Sequence, residues 1–179
     1  MDHETESQVM ACVTRIEKIL GTPIFLPQES RNPFVQSAFI ELVILLRDLM
    51  HKSERFGHRV SFTDDVNTAT GCVDISDVIR HVRDAACHLD SKKRDATPNI
   101  SIAFMVTYGA ANLIQTPSVT IGTKHADDVC FVYGSHHLYL RRHIIRAYRE
   151  ALDHLRPLSW MLDSYLSTSP PTSSATFCS

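Results

Sequence analysis

Near the N-terminus apolar side chains return every three or four positions. Val9, Cys12, Val13, Ile16, Ile19 and Leu20 share one side, with Arg15, Glu17 and Lys18 mostly outside it. This spacing predicts a helix that Gly21 stops, and Pro23 and Pro27 keep the following segment irregular. Asn32-Pro33 reads as a cap and a first-turn proline, opening a second helix that runs to about Arg55. Phe34, Ala38, Phe39, Leu42, Val43, Leu45, Leu46 and Leu49 make that helix apolar almost all round, so it is expected at the centre of the fold. Its end turns polar at His51, Lys52, Ser53 and Glu54, and Gly57 closes it.

After a polar connection over 58–73, a third helix opens near Asp74. Ile75, Val78, Ile79, Val82, Ala86 and Leu89 carry the most regular helical period of the chain, which predicts one packed face and one free face. Ser91 to Asn99 is a charged loop, and beyond it the period changes. Ile100–Tyr108 and Ala111–Gln115 are β-prone and separated by Gly109-Ala110, which predicts a hairpin. Val119–Ile121, Asp128–Tyr133 and His136–Tyr139 are further short strands, with Gly134-Ser135 as a turn. The last long helix is expected from about Leu138 to Leu155, with a stripe of Ile144, Ile145, Tyr148, Ala151, Leu152 and Leu155. Pro157 breaks it, and Leu158, Met161, Leu162, Tyr165 and Leu166 repeat the pattern in a short terminal helix.

Four main helices joined by connections of unequal length predict a mostly α fold, a four-helix bundle. A small β-rich insertion at about 99–139 is expected to flank it between helices three and four. One domain over 1–166 is expected, followed by a Ser/Thr/Pro-rich tail over 167–179 whose composition favours disorder.

Composition narrows the classes of partner. The formal charge is -2 over 179 residues, so no global attraction to nucleic acid exists and any such contact needs a local basic face. The five cysteines (Cys12, Cys72, Cys87, Cys130 and Cys178) are odd in number and form no C-x-x-C pair. No secretory apolar region precedes them. The longest apolar run, Leu42–Leu46, is too short to span a bilayer. A reducing cytoplasm is the expected setting, with no membrane partner.

Chemistry concentrates on the third helix, in Arg83-Asp84-Ala85-Ala86-Cys87-His88. Arg83 and His88 flank the apolar stripe, about 140° apart around the axis, while Asp84 and His88 are neighbours one turn apart. An imidazole with a pKa near neutrality moves a proton to or from a ribose hydroxyl. A carboxylate beside it fixes its tautomer, and a guanidinium holds a phosphate and stabilises charge on its oxygens. No metal or other cofactor is required for such chemistry. Spacing alone does not single this segment out, because Arg149-Glu150-Ala151-Leu152-Asp153-His154 repeats it on the last long helix.

The stretch Val78-Ile79-Arg80-His81-Val82-Arg83-Asp84-Ala85-Ala86-Cys87-His88-Leu89-Asp90-Ser91 resembles the signature of the HEPN superfamily (higher eukaryotes and prokaryotes nucleotide-binding). Residues 34–155 resemble a plasmid- and bacterium-associated branch of it, through the apolar helix at Phe34–Met50, the β segment at Phe104–Tyr108 and Asp128-Val129-Cys130-Phe131-Val132-Tyr133-Gly134. The resemblance implies a HEPN-like four-helix bundle and a metal-independent endoribonuclease whose cleft is completed by a second copy of the chain. Arg83 and His88 match the family's essential pair, and Asp84 matches the polar position after the arginine. It also implies Arg83/His88 over Arg149/His154, because the motif belongs on the earlier helix. A toxin–antitoxin or phage-defence role, with RNA as substrate and an antitoxin or other protein as partner, follows by the same analogy. Many members of the family are inactive, so a non-catalytic module that binds a protein or nucleotide is the alternative.

Other residues invite weaker readings. His125, His136 and His137, with Cys130 or Asp127/Asp128, suggest a metal site for a hydrolase but lack any recognised ligand spacing, so no metal is assigned. Arg141, Arg142, Arg146 and Arg149 make the last helix basic. They read either as a solvated face offset by Glu150 and Asp153 or as a phosphate-tracking surface, with Arg142, Arg146 and Arg149 as the RNA contacts. Arg47-Asp48 is expected to pair or snorkel at the bundle edge or else to support the site from behind, Cys87 to be a half-buried small side chain, and Trp160 and Tyr165 to be packing residues.

Overall fold

The computed structural model describes residues 1–67, 71–88, 94–116 and 120–168. Among these residues the helices are α1 (His3–Leu20), α2 (Val35–Arg55), α3 (Ile75–Cys87), α4 (Arg146–Leu155) and α5 (Trp160–Thr168). The strands are β1 (Asp95–Thr97), β2 (Ile100–Ser101), β3 (Met105–Tyr108), β4 (Ala111–Gln115), β5 (Thr120–Thr123), β6 (Val129–Tyr133) and β7 (His136–Tyr139). Most of the tail expected over 167–179 lies outside the described residues.

Helix ends follow their local chemistry. Asp2 accepts a hydrogen bond from the Thr5 amide at 2.9 Å, so α1 starts well before the apolar stripe at Val9. Asn32 accepts from the Phe34 amide at 3.0 Å just before α2. Asp74 caps α3 by accepting from the Asp77 amide at 3.0 Å, and the Asp77 carboxylate reaches back to the Val73 amide, also at 3.0 Å. At its other end α3 stops at Cys87. His88 adopts an extended backbone (φ -121, ψ 110) although its amide still donates to the Asp84 carbonyl at 3.1 Å.

The expected four-helix bundle with a flanking insertion is not what forms. The fold is mixed α/β: β3, β6 and β7 make an antiparallel sheet in the order β3-β6-β7, with two-stranded sheets β1-β2 and β4-β5 beside it. The reason lies in β6. Every residue of Val129-Cys130-Phe131-Val132-Tyr133 is buried, the mark of a strand covered on both faces rather than one lying on a surface. Val129, Phe131 and Tyr133 join the core of α1, α2, α3 and α4. There Phe131 stacks on Phe39 of α2 at 4.2 Å and meets Phe25 edge-on at 5.2 Å. Cys130 and Val132 point the other way, into a second small core with Ile102, Ile121 and Tyr139. Truncating Phe131 to alanine would cost about 3–5 kcal/mol, as for other large buried aromatic residues.

The hairpin expected between Ile100–Tyr108 and Ala111–Gln115 is also corrected. Met105–Tyr108 pairs with β6 and Ala111–Gln115 pairs with β5, so the two segments belong to different sheets. Gly134 (φ 56) turns β6 into β7, with Tyr133 opposite His136. The last long helix begins later than expected: Leu138 and Tyr139 complete β7, and Leu140–Ile145 form a π-helical turn before α4. The buried Asp128 carboxylate caps that turn, accepting from the Arg141 amide at 3.0 Å and the Arg142 amide at 3.1 Å. Trp160, expected to pack, is 72% exposed.

Candidate functional site

Two clusters meet on α3. The first is on its outward side. Arg83 and His88 are both exposed, and Asp84 is half-buried. The Arg83 guanidinium donates to the Asp84 carboxylate at 3.0 Å. Asp84 therefore neutralises its neighbouring arginine. Among the described residues no hydrogen bond joins its carboxylate to the His88 ring, the contact that sequence spacing predicted. Because the helix has ended, the imidazole leaves the chain from extended backbone at the helix C-terminus.

A groove of about 170 Å³ between α2 and α3 is lined by Arg47, His51, Glu54, Arg59, Asp77 and Arg80 among others. Arg59 is the anchored cation, bonded to Asp74 at 2.9 Å, Glu54 at 2.8 Å and Asp77 at 3.2 Å, and the Asp74 and Glu54 carboxylates raise its pKa. Arg80 donates to Asp77 at 3.0 Å. Arg47 differs from both. Burial, with Arg80, Arg83 and Arg59 as like-charged neighbours, lowers its pKa below the ordinary guanidinium value, and Glu54 opposes this. Arg47 thus feels three other guanidinium groups, while Glu54, Asp74, Asp77 and Asp84 pair with those three.

The second cluster was not legible in the sequence. Cys72 lies in the loop before α3, His81 on α3, and His136 at the start of β7. Their ligand atoms all fall within 4.8 Å of one another. Cys72 Sγ stands 3.6 Å from His81 Nδ1, and the rings of His81 and His136 meet edge-on with centroids 5.5 Å apart. Cys72 and His136 are almost fully buried, while His81 is half-buried.

The other residues singled out by sequence disperse. His125 pairs with Asp65 at 3.0 Å and meets Tyr139 edge-on. Asp127 and Asp128 bind Arg142 at 3.0 and 3.2 Å, and Cys130 is buried in the outer core. Of that histidine group only His136 enters a cluster, with Cys72 and His81 as its companions. Arg142 is thus ion-paired, Arg146 binds Asp64 at 2.8 Å and lies 3.9 Å over the Phe62 ring, and Arg149 is exposed. In the second Arg–His pair, His154 bonds to the Phe56 carbonyl at 3.2 Å and stacks on His58, a structural role at the end of α2. Asp48 pairs with Lys52 and accepts from Cys12 at 3.2 Å, while Cys87 is exposed rather than half-buried.

A cleft of about 540 Å³ lies away from both clusters. Leu26, Gln28, Tyr108, Asp127, Asp128 and Arg141 are among its lining residues. Among the described residues no helix is long and apolar enough to cross a membrane. Comparison with family models, with curated proteins and with solved structures finds no match to this chain.

Proposed function

We propose that the chain is a metal-independent endoribonuclease that uses Arg83 and His88, acting as a homodimer. The observation that carries this reading is that Arg83 and His88 are both exposed, with Arg83 near enough to Arg47 of the groove lined by Arg47, Arg59 and Arg80 to act on its charge. Phosphates of a single strand lie along the groove, and a scissile phosphate reaches Arg83. His88 moves the proton: the ribose 2′-hydroxyl attacks phosphorus, the bond to the 5′-oxygen breaks, and a 2′,3′-cyclic phosphate remains. One copy supplies one guanidinium and one imidazole. A second imidazole, needed to protonate the leaving oxygen while the first acts as base, comes from the other copy. The resemblance of residues 78–91 to the HEPN signature supports the same assignment, and a role in toxin–antitoxin or phage-defence systems rests on that resemblance.

The test is RNA cleavage in excess chelator by the unaltered chain, Arg83→Ala and His88→Ala. Cleavage by the first and its loss in both variants is the expected result. Equal rates from all three overturn the proposal. The ion pair of Arg83 with Asp84 favours a second reading, a non-catalytic module in which this surface docks a protein or nucleotide. That reading predicts anion-dependent binding with no cleavage by any of the three.

A further inference from the structure

We infer that Cys72, His81 and His136 form a transition-metal site, with Zn2+ as its natural ion and water as the fourth ligand. The three ligands come from a loop, a helix and a strand, and the fold brings their donor atoms within 4.8 Å of one another. Tetrahedral zinc, with Zn–S about 2.3 Å and Zn–N about 2.0–2.1 Å, sets sulfur and nitrogen about 3.6 Å apart. Cys72 Sγ and His81 Nδ1 stand at 3.6 Å. The same geometry holds two imidazole centroids about 5.2 Å apart, and the rings of His81 and His136 are 5.5 Å apart. Three protein donors leave tetrahedral zinc a fourth position, which water fills.

A thiolate with two imidazoles is a borderline-soft donor set, suited to Zn2+ and poorly suited to Mg2+ or Ca2+. Binding releases the Cys72 proton to solvent and leaves both imidazoles neutral. His81 is half-buried, which gives the ion a route in along the flank of α3. The site stands apart from the proposed nuclease surface, since Arg83 lies about 200° around the helix from His81. Its role is a clasp that ties the start of α3 to the beginning of β7. The proposed RNA chemistry does not use it.

The probe is Co2+ added to the chelator-treated, reduced full chain and followed by absorption. Saturation at one Co2+ per chain is expected, with a thiolate-to-cobalt charge-transfer band and tetrahedral d–d bands that Zn2+ then displaces. Cys72→Ser removes the charge-transfer band, and His81→Gln, at a half-buried position, weakens binding at least tenfold while circular dichroism stays unchanged. Zn2+ raises the Tm of the unaltered chain and not that of Cys72→Ser. No saturable band, or a band that survives Cys72→Ser and disappears with Cys87→Ser, overturns the assignment.

Discussion

The outward and inward sides of α3 carry chemistry of opposite construction. Outward, Arg83, Asp84 and His88 are neighbours in sequence, with Arg83 and His88 exposed, Asp84 half-buried and an ion pair joining Arg83 to Asp84. Inward, Cys72, His81 and His136 are drawn from separate elements, mostly buried, and positioned by the packing of α3 against β7. The local cluster is free to adjust when a ligand or second chain arrives. The buried one is already arranged. One helix thus carries both the proposed nuclease pair and the proposed metal ligand His81, about 200° around its axis from Arg83.

The sharpest way to break this comparison is by activity. His88→Ala is expected to lower RNA cleavage by about 10²–10⁴-fold, the usual contribution of a positioned general acid or base, measured as initial rate in chelator. The same loss in His81→Gln would mean that the two sides are not independent. A smaller effect concerns stability, read by urea denaturation. His136→Ala, at a buried strand position, is expected to cost about 1–3 kcal/mol, whereas His88→Ala at an exposed position should stay within about 0.5 kcal/mol. Equal losses would erase the contrast.

Next comes pH. His143 is fully buried in the π turn, where Nδ1 accepts from the Tyr139 amide at 3.2 Å and Nε2 donates to the Asp64 carbonyl at 3.0 Å. Burial lowers its pKa, opposed by the Asp64 carbonyl and by the charges of Asp65 and Asp128. The folded chain thus binds the proton less readily than the unfolded chain. The stability held by neutral His143 is full above about pH 6.5 and falls as pH drops from there towards the lowered folded value. Tm should decline over that window, and His143→Gln, which keeps a donor for Asp64, should flatten the decline. The smallest expected effect is on affinity. Arg47→Ala should weaken binding of a short RNA and reduce the dependence of affinity on salt by about one charge, measured by fluorescence anisotropy.

Much of the helical part was legible because its signal is local. The stripe Ile75, Val78, Ile79 and Val82 lies on the buried side of α3, and Phe39, Leu42, Val43, Leu46 and Leu49 are core residues of α2. The sheet was misread for a physical reason. Strands β3 and β4 adjoin in sequence but pair with β6 and β5, and nothing local distinguishes that arrangement from a hairpin. The continuous apolar run of β6 was the available clue to a strand buried on both faces. At the site, the end of α3 at Cys87 changed the expected Asp84–His88 contact, because an i, i+4 argument holds only while the helix continues. Cys72 and His81 could be paired with His136 only through tertiary packing, so no spacing rule reveals them.

The central claim is that His88 and Arg83 cleave RNA without metal. Mass analysis of the 3′ ends of RNA fragments made by the chelator-treated chain tests it most directly. The account predicts 2′,3′-cyclic phosphate ends that vanish with His88→Ala. Fragments with 3′-hydroxyl ends, or cyclic ends produced equally by His88→Ala, would contradict it.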